Sequence, residues 1–175
     1  MIHDSPAPEP ASDVVVRRAT PADLPAIGRL GALLVRTHHE FDQKRFIAPT
    51  RRTEQGYASF LATQIDEPTV VVLVAVQDGQ VAGYTYAGIE GHDWMALRGP
   101  AGVLHDIVVD PAQRRRGVGR MLLDASVAAL RSLGASQLVL STADQNERAQ
   151  RLFASAGFRR TMIEMTRDLD VEDDR

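Results

Sequence analysis

A chain of 175 residues that is 44% hydrophobic and 25% charged has the size and make-up of one globular domain. Its net charge of -3 gives no reason to expect nucleic acid or an acidic membrane as a partner. The absence of cysteine removes disulfides, thiolate metal sites and a cysteine nucleophile from consideration. No apolar run approaches the ~18 residues of a membrane-spanning helix, and a cysteine-free chain suits a reducing compartment, so a cytoplasmic protein is expected.

Residues 1–13 carry Pro6, Pro8 and Pro10 among acidic side chains and lack the basic start and apolar stretch of a secretory signal. They read as a disordered leader, and residues 170–175 as an acidic tail, on either side of one domain over 14–169. Val14, Val15 and Val16 open a short strand. Thr20-Pro21-Ala22-Asp23 is a helix start, with Thr20 at the N-cap and Pro21 at the first helical position. Leu24, Ile27, Leu30, Leu33 and Leu34 then recur at helical spacing. After a polar segment over 36–52, a second helix is expected over 53–65, with Tyr57, Phe60 and Leu61 inward. Residues 69–76 are β-branched and apolar, Asp78-Gly79 is a hairpin signal, and 81–89 is the return strand.

A loop over 91–102 contains Trp94, and the strand over 103–109 is stopped by Asp110-Pro111. Val118, Met121, Leu122, Ala125, Ala129, Leu130 and Leu133 mark a long amphipathic helix closed by Gly134. Residues 137–140 form a strand. Asp144 and Glu147 are spaced as a capping box for a further helix, with Ala149, Leu152 and Phe153 buried and Gly157 at its end. A last strand is expected over 158–165. This order of strands and helices is that of an α/β chain with one mixed sheet.

The chemically informative run is Arg114-Arg115-Arg116-Gly117-Val118-Gly119-Arg120, between a strand and a helix. Glycines there let the backbone turn sharply and leave N–H groups bare, and the helix N-terminus adds partial positive charge. Such a place holds a phosphate or pyrophosphate. The dinucleotide fingerprint fails because its third glycine position is Leu122, and the nucleotide P-loop fails for want of its spacing and lysine. R-x-x-G-x-G after a strand ending in Ile107-Val108-Val109-Asp110-Pro111 remains.

The run from Ile107 to Gly119 resembles the acetyl-CoA motif of the GCN5-related N-acetyltransferases (GNAT). Asn146, Ala149, Leu152-Phe153 and Gly157-Phe158 resemble that family's downstream pattern, N-x-x-A-x-x-[LY]-x-x-x-G-F. The resemblance implies a single mixed, mostly antiparallel sheet flanked by helices, with two strands splayed to admit acetyl-CoA. Main-chain groups of Ile107, Val108 and Val109 would hold the pantetheine arm. Arg114, Arg115, Arg116, Gly117, Val118, Gly119 and Arg120 would surround the pyrophosphate, and Asn146 would reach pantetheine or phosphate. Phe153, also against the cofactor, stands where many members carry a tyrosine that protonates the leaving thiolate. The implied partners are acetyl-CoA and an amine acceptor and, dimers being frequent in the family, a second copy of the chain.

Attack on a thioester needs a neutral amine, yet an alkylamine of pKa ~10.4 is almost wholly protonated at neutral pH, so a base is expected. His105 is the first candidate, since an ordinary imidazole near ~6.5 suits the task. Strand alternation places it on the face of Val103 and Ile107, with Asp106, the second candidate, opposite. On the acceptor side, Glu40 and Asp42 could attract a cation and Trp94 could offer a platform, in a wall with Glu90, His92 and Asp93. No metal is expected, because His38 and His39 are adjacent and no i, i+4 histidine pair exists. Without a G-x-S-x-G elbow, a serine hydrolase is excluded. The resulting expectation is direct acetyl transfer from acetyl-CoA to an amine of a small molecule or peptide. The alternative is a non-catalytic CoA-binding module, which the missing tyrosine keeps open.

Overall fold

The computed structural model describes residues 14–169; the leader expected over 1–13 and the tail over 170–175 lie outside them. Strands β1 (Val15–Arg18), β2 (Val70–Gln77), β3 (Gln80–Glu90), β4 (Ala101–Val109) and β5 (Leu138–Leu140) form one sheet in the order β1-β2-β3-β4-β5. The first pairings are antiparallel and β4–β5 is parallel. The sheet is therefore mixed and mostly antiparallel. Helices α1 (Leu24–Phe41) and α2 (Thr53–Ala62) cover one face, and α3 (Val118–Ser132) and α4 (Glu147–Ser155) belong to the other.

The two faces follow from side-chain alternation along buried strands. Val72, Val74, Tyr84 and Val108 join Ile27, Leu30 and Leu61 in one core; Val71, Leu73, Ala75, Ala87 and Leu104 join Leu122, Leu123, Leu130 and Phe153 in the other. Asp78 and Gly79 both take positive φ, 51° and 72°, as a two-residue hairpin turn requires. Thr20 leads into a 3-10 turn over Pro21–Asp23 before α1 begins. There Asp23 is clasped by Arg17 through contacts of 2.7 and 2.9 Å and accepts from the Thr20 N–H and hydroxyl at 2.8 and 3.0 Å. Gly31 has no side chain because the Tyr57 ring of α2 occupies the space: a Cβ there would stand 2.2 Å from that ring.

Two features of the sheet position the site. β5 pairs with β4 only from Gly102↔Leu138 to Leu104↔Leu140, whereas β4 runs on to Val109. Beyond Leu104 the edge of β4 is open on that side, and the strands part as expected. In addition, Tyr86 pairs with Asp106 but Ala87 with Leu104, so His105 is the extra residue of a β-bulge.

The structure corrects the sequence reading at Phe60, which is 49% exposed and not inward, and in three further places. The bulge breaks the alternation assumed for β4. Ile107 packs with the α3-side core, while His105 stacks on Tyr86 and Asp106 bonds Tyr84, both on the α1–α2 side. His105 and Asp106 thus share a face. The N-cap of α4 is Asn146, whose side chain accepts from the Ala149 N–H at 3.2 Å, not Asp144. The strand expected over 158–165 is not formed: that segment has no neighbouring strand, and a strand exists only by pairing. Among the described residues, no helix is long and apolar enough to cross a membrane.

Candidate active site

A cleft of about 250 Å³ opens where β4 and β5 part. Ile107, Ser141, Thr142, Asn146, Ala149 and Phe153 line one part of it. Leu34, Val35, His38, Phe46, Ile47, Tyr57, His105 and Asp106 line the rest.

At the C-terminal end of β4 the chain makes a short turn and enters α3. Arg115 and Gly117 take left-handed conformations, φ 67° and 78°, and alternate with ordinary residues. That alternation curls successive N–H groups inward as an anion-binding nest. Among the described residues, the N–H groups of 115–120 donate to no protein acceptor, and the first inward helical bond is Met121 N–H to the Gly117 carbonyl, 3.0 Å. Bare N–H groups at the positive end of a helix form a phosphate site. The side chains of Arg114, Arg115 and Arg116 are exposed and have no ion-pair partner among the described residues. The Arg120 guanidinium instead pairs with Asp124 at 2.8 Å. Arg148, at the start of α4, belongs to the same cluster: burial first, then the charges of Arg114, Arg115 and Arg151, depress its pKa. Sequence reading overlooked Arg148, since only the fold brings it to the cradle. A Cβ at Gly119 would stand 3.5 Å from Leu152 and 3.6 Å from Val109, ordinary contact distances that leave room for a methyl.

Asn146 lines the cleft while capping α4, so its carboxamide oxygen is engaged and its NH₂ points to no protein partner among the described residues. Phe153 is buried in the core and on the cleft wall, with Phe158 at 5.8 Å between ring centroids.

On the other side of the cleft, Asp106 is held by the Tyr84 hydroxyl at 2.9 Å, with Tyr57 close by. Burial raises the Asp106 carboxyl above its ordinary range, against the opposing pull of hydrogen bonds from Tyr84 and Tyr57 and the charges of His105 and His38. Burial and the Asp106 charge push both tyrosine hydroxyls upward, so they are donors at every physiological pH. His105 stacks on Tyr86 with centroids 4.8 Å apart, and its Nε2 lies 3.1 Å from Glu90 Oε1. Glu90 is itself held by Arg98 at 2.8 Å. Glu90 thus faces one ring nitrogen, and the other, Nδ1, has no hydrogen-bond partner among the described residues.

The expected acceptor residues are more dispersed. Asp42 caps the turn after α1, accepting from the N–H groups of Lys44 and Arg45 at 3.0 and 3.1 Å. Glu40 is exposed on α1. Trp94 is 76% exposed, stacked on His92 in the loop after β3. None of the three lines the cleft, whereas His38, Phe46 and Tyr57 do. Among the described residues, no group of histidines and carboxylates is placed to hold a metal ion.

A sheet parted beside a phosphate cradle is the frame of an acyl-CoA-binding fold, and comparison with known proteins agrees. The chain belongs to the acetyltransferase (GNAT) family, whose model matches residues 35–158. A mycothiol acetyltransferase of Thermobispora bispora is 35% identical over 96 residues, 53% of this chain but 31% of that protein. The chain thus spans less than a third of that relative's length. The uncharacterized N-acetyltransferase YhfO of Bacillus subtilis is 27% identical over 145 residues, covering 82% of this chain and 88% of that one. Among solved structures, the aminoglycoside N-acetyltransferase AAC(6')-Iy in complex with CoA superposes with a TM-score of 0.70 at 18% identity. That match covers 94% of this chain and 99% of the other. A tetramutant of the BH1408 protein of Bacillus halodurans gives 0.76 at 22% identity, over 89% and 99%. At such identities these structures speak for the fold.

Proposed function

We propose that this chain transfers the acetyl group of acetyl-CoA directly to a small primary amine, with both substrates bound together. The observation that carries this is the run of unpartnered N–H groups over 115–120, in a nest at the N-terminus of α3 beside the open edge of β4. Pyrophosphate fits there, with Arg114, Arg115, Arg116 and Arg148 around it. The pantetheine arm then extends along the main chain of Ile107, Val108 and Val109, as an added strand would. Asn146 faces it with its free NH₂, and Phe153 forms an apolar wall.

The rest of the cleft suits the acceptor. Its one carboxylate, Asp106, sits among Leu34, Val35, Phe46, Ile47 and Tyr57, which favours a single ammonium on an apolar arm over a polycation. Asp106 holds the ammonium, and His105 Nδ1 accepts the proton that makes the nitrogen nucleophilic. The amine lone pair attacks the thioester carbon, main-chain N–H groups near Ile107 receive the developing oxyanion, and the C–S bond breaks. The thiolate takes its proton from water, since the phenyl ring of Phe153 has none to give.

The test is isothermal titration with acetyl-CoA, using NAD and ATP as controls, followed by thiol release with a panel of amines. Stoichiometric binding of acetyl-CoA alone and release of CoA with an amine are expected. Failure to bind acetyl-CoA would overturn the reading, and binding without turnover on any amine would favour a CoA-binding module.

A further inference from the structure

The histidine pair near the end of α1, His38 and His39, has no part in the proposed transfer, yet both rings are held in place. His38 lines the cleft, and its Nδ1 lies 2.9 Å from the Leu34 carbonyl one helical turn back. A carbonyl oxygen only accepts, so in the neutral ring the hydrogen is on Nδ1 and Nε2 carries a bare lone pair. That Nε2 has no hydrogen-bond partner among the described residues. Aromatic edges fix the ring on two sides, with centroids 5.9 Å away at Phe41 and 5.0 Å away at Phe46. His39 secures this arrangement, because its Nδ1 lies 3.1 Å from the Phe46 carbonyl and ties the loop after α1 back onto the helix.

The surroundings decide what this free acceptor can meet. Leu34, Val35 and His38 fall on one stripe of α1, which continues back to Gly31 and the Tyr57 ring. Asp106 lines the same cleft, close enough for a charge on His38 to act on its carboxyl. The other acceptor-side residues, Leu34, Val35, Phe46 and Ile47, are apolar, and among the described residues no lysine or arginine lines the cleft. With Asp106 engaged by the reacting ammonium, a second ammonium on the substrate has no carboxylate to meet. A carboxylate on the substrate has no lysine or arginine to meet and is repelled by Asp106. A hydroxyl satisfies Nε2 without burying an unpaired charge.

We propose that His38 determines acceptor specificity: its Nε2 accepts a hydrogen bond from a neutral hydroxyl at the far end of the amine, so the preferred substrates are primary amino alcohols with a short apolar arm. This rests on the transferase reading and narrows it from any small amine to one with two polar ends. The ammonium lies at Asp106, the arm runs along Leu34 and Val35, and the hydroxyl reaches His38. His38 takes no proton from the reacting nitrogen; it selects the substrate and orients its arm. A plain alkylamine of equal length displaces water from Nε2 and leaves it unpaired. A site built to hydrogen-bond a hydroxyl rejects the analogue lacking it for that reason.

Amino alcohols from aminopropanol to aminohexanol are compared with alkylamines of equal length by thiol release from acetyl-CoA. The native protein is expected to favour the amino alcohol at a best length. His38→Phe keeps a ring in place and removes both nitrogens. It is expected to reduce that preference by roughly two- to tenfold, the span of one net hydrogen bond, with acetyl-CoA titration unchanged. Binding is read separately by nitrogen NMR of labelled imidazoles in the presence of CoA, which has no acetyl group to transfer. There the amino alcohol is expected to move the His38 Nε2 resonance and the alkylamine to leave it in place. A protein that turns over no amine but shows this shift refutes the transfer and supports the recognition. Equal kcat/KM for amino alcohol and alkylamine at every length overturns the proposal. So does a preference for the amino acid of matching length, or a His38→Phe variant that keeps the native ratio.

Discussion

Replacing Asp106 by asparagine separates what this residue does for the reaction from what it does for the fold. The side chains have the same shape, so no cavity results; the amide oxygen still accepts from the Tyr84 hydroxyl now 2.9 Å away, while the new NH₂ faces the Tyr57 hydroxyl, which can turn to accept from it. What is lost is a partly desolvated charge facing the ammonium, a kind of deletion that costs about 2–5 kcal/mol. At ~1.4 kcal/mol per decade, kcat/KM for the amine is expected to fall by about 30-fold to a few thousandfold, with acetyl-CoA affinity unchanged. Stability moves the other way. Burial raises the Asp106 carboxyl in the folded state, so the folded protein resists its ionisation. That cost is absent below the unfolded carboxyl value near ~3.9 and fully present above the folded value. The asparagine variant is therefore expected to melt at the same or a higher temperature at pH 7, the difference vanishing in acid. Initial rates over an amine series and thermal unfolding across pH check both halves. Wild-type turnover, or a clear loss of stability at neutral pH, would refute the role given to this carboxylate.

His105→Ala is expected to lower turnover by about 10²–10⁴-fold while titration with acetyl-CoA is unaffected; a retained kcat would remove the imidazole from the chemistry. Tyr84→Phe deletes a bond that lowers the Asp106 carboxyl, so the acidic limb of the kcat/KM profile should move to higher pH, and a shift downward would contradict the assignment. Gly31→Ala drives a methyl into the Tyr57 ring and is expected to cost about 1–3 kcal/mol in urea denaturation, together with acceptor affinity. Asp23 is held at about 2 by its hydrogen bonds to Arg17, so Asp23→Asn should lose up to about 2 kcal/mol at pH 7. That difference from wild type persists above the ordinary carboxylate value and fades as pH falls through about 2.

The cofactor side was legible because it depends on main-chain geometry that short patterns encode: a strand stop at Asp110-Pro111, Gly117 where φ must be positive, and an apolar helix beginning at Val118. The acceptor side was not, because it depends on where side chains from distant elements meet. Tyr57 approaches Asp106 only because Gly31 is bare, and Arg148 joins Arg114 only through the packing of α4. Period-two alternation misplaced Asp106 because a bulge leaves no mark in composition. The strand expected over 158–165 did not form, because pairing is a property of neighbours, which composition does not contain.

The bulge at His105 has a consequence for how this protein can change. On the proposed function, β4 would offer its open backbone edge to one substrate and, through His105 and Asp106, its side chains to the other. Main-chain recognition is indifferent to side-chain identity, so the acceptor face can be rewritten residue by residue while the donor seat persists. One strand therefore carries a constant grip and a variable one, and new amine preferences are accessible here without rebuilding the machinery that delivers the acetyl group.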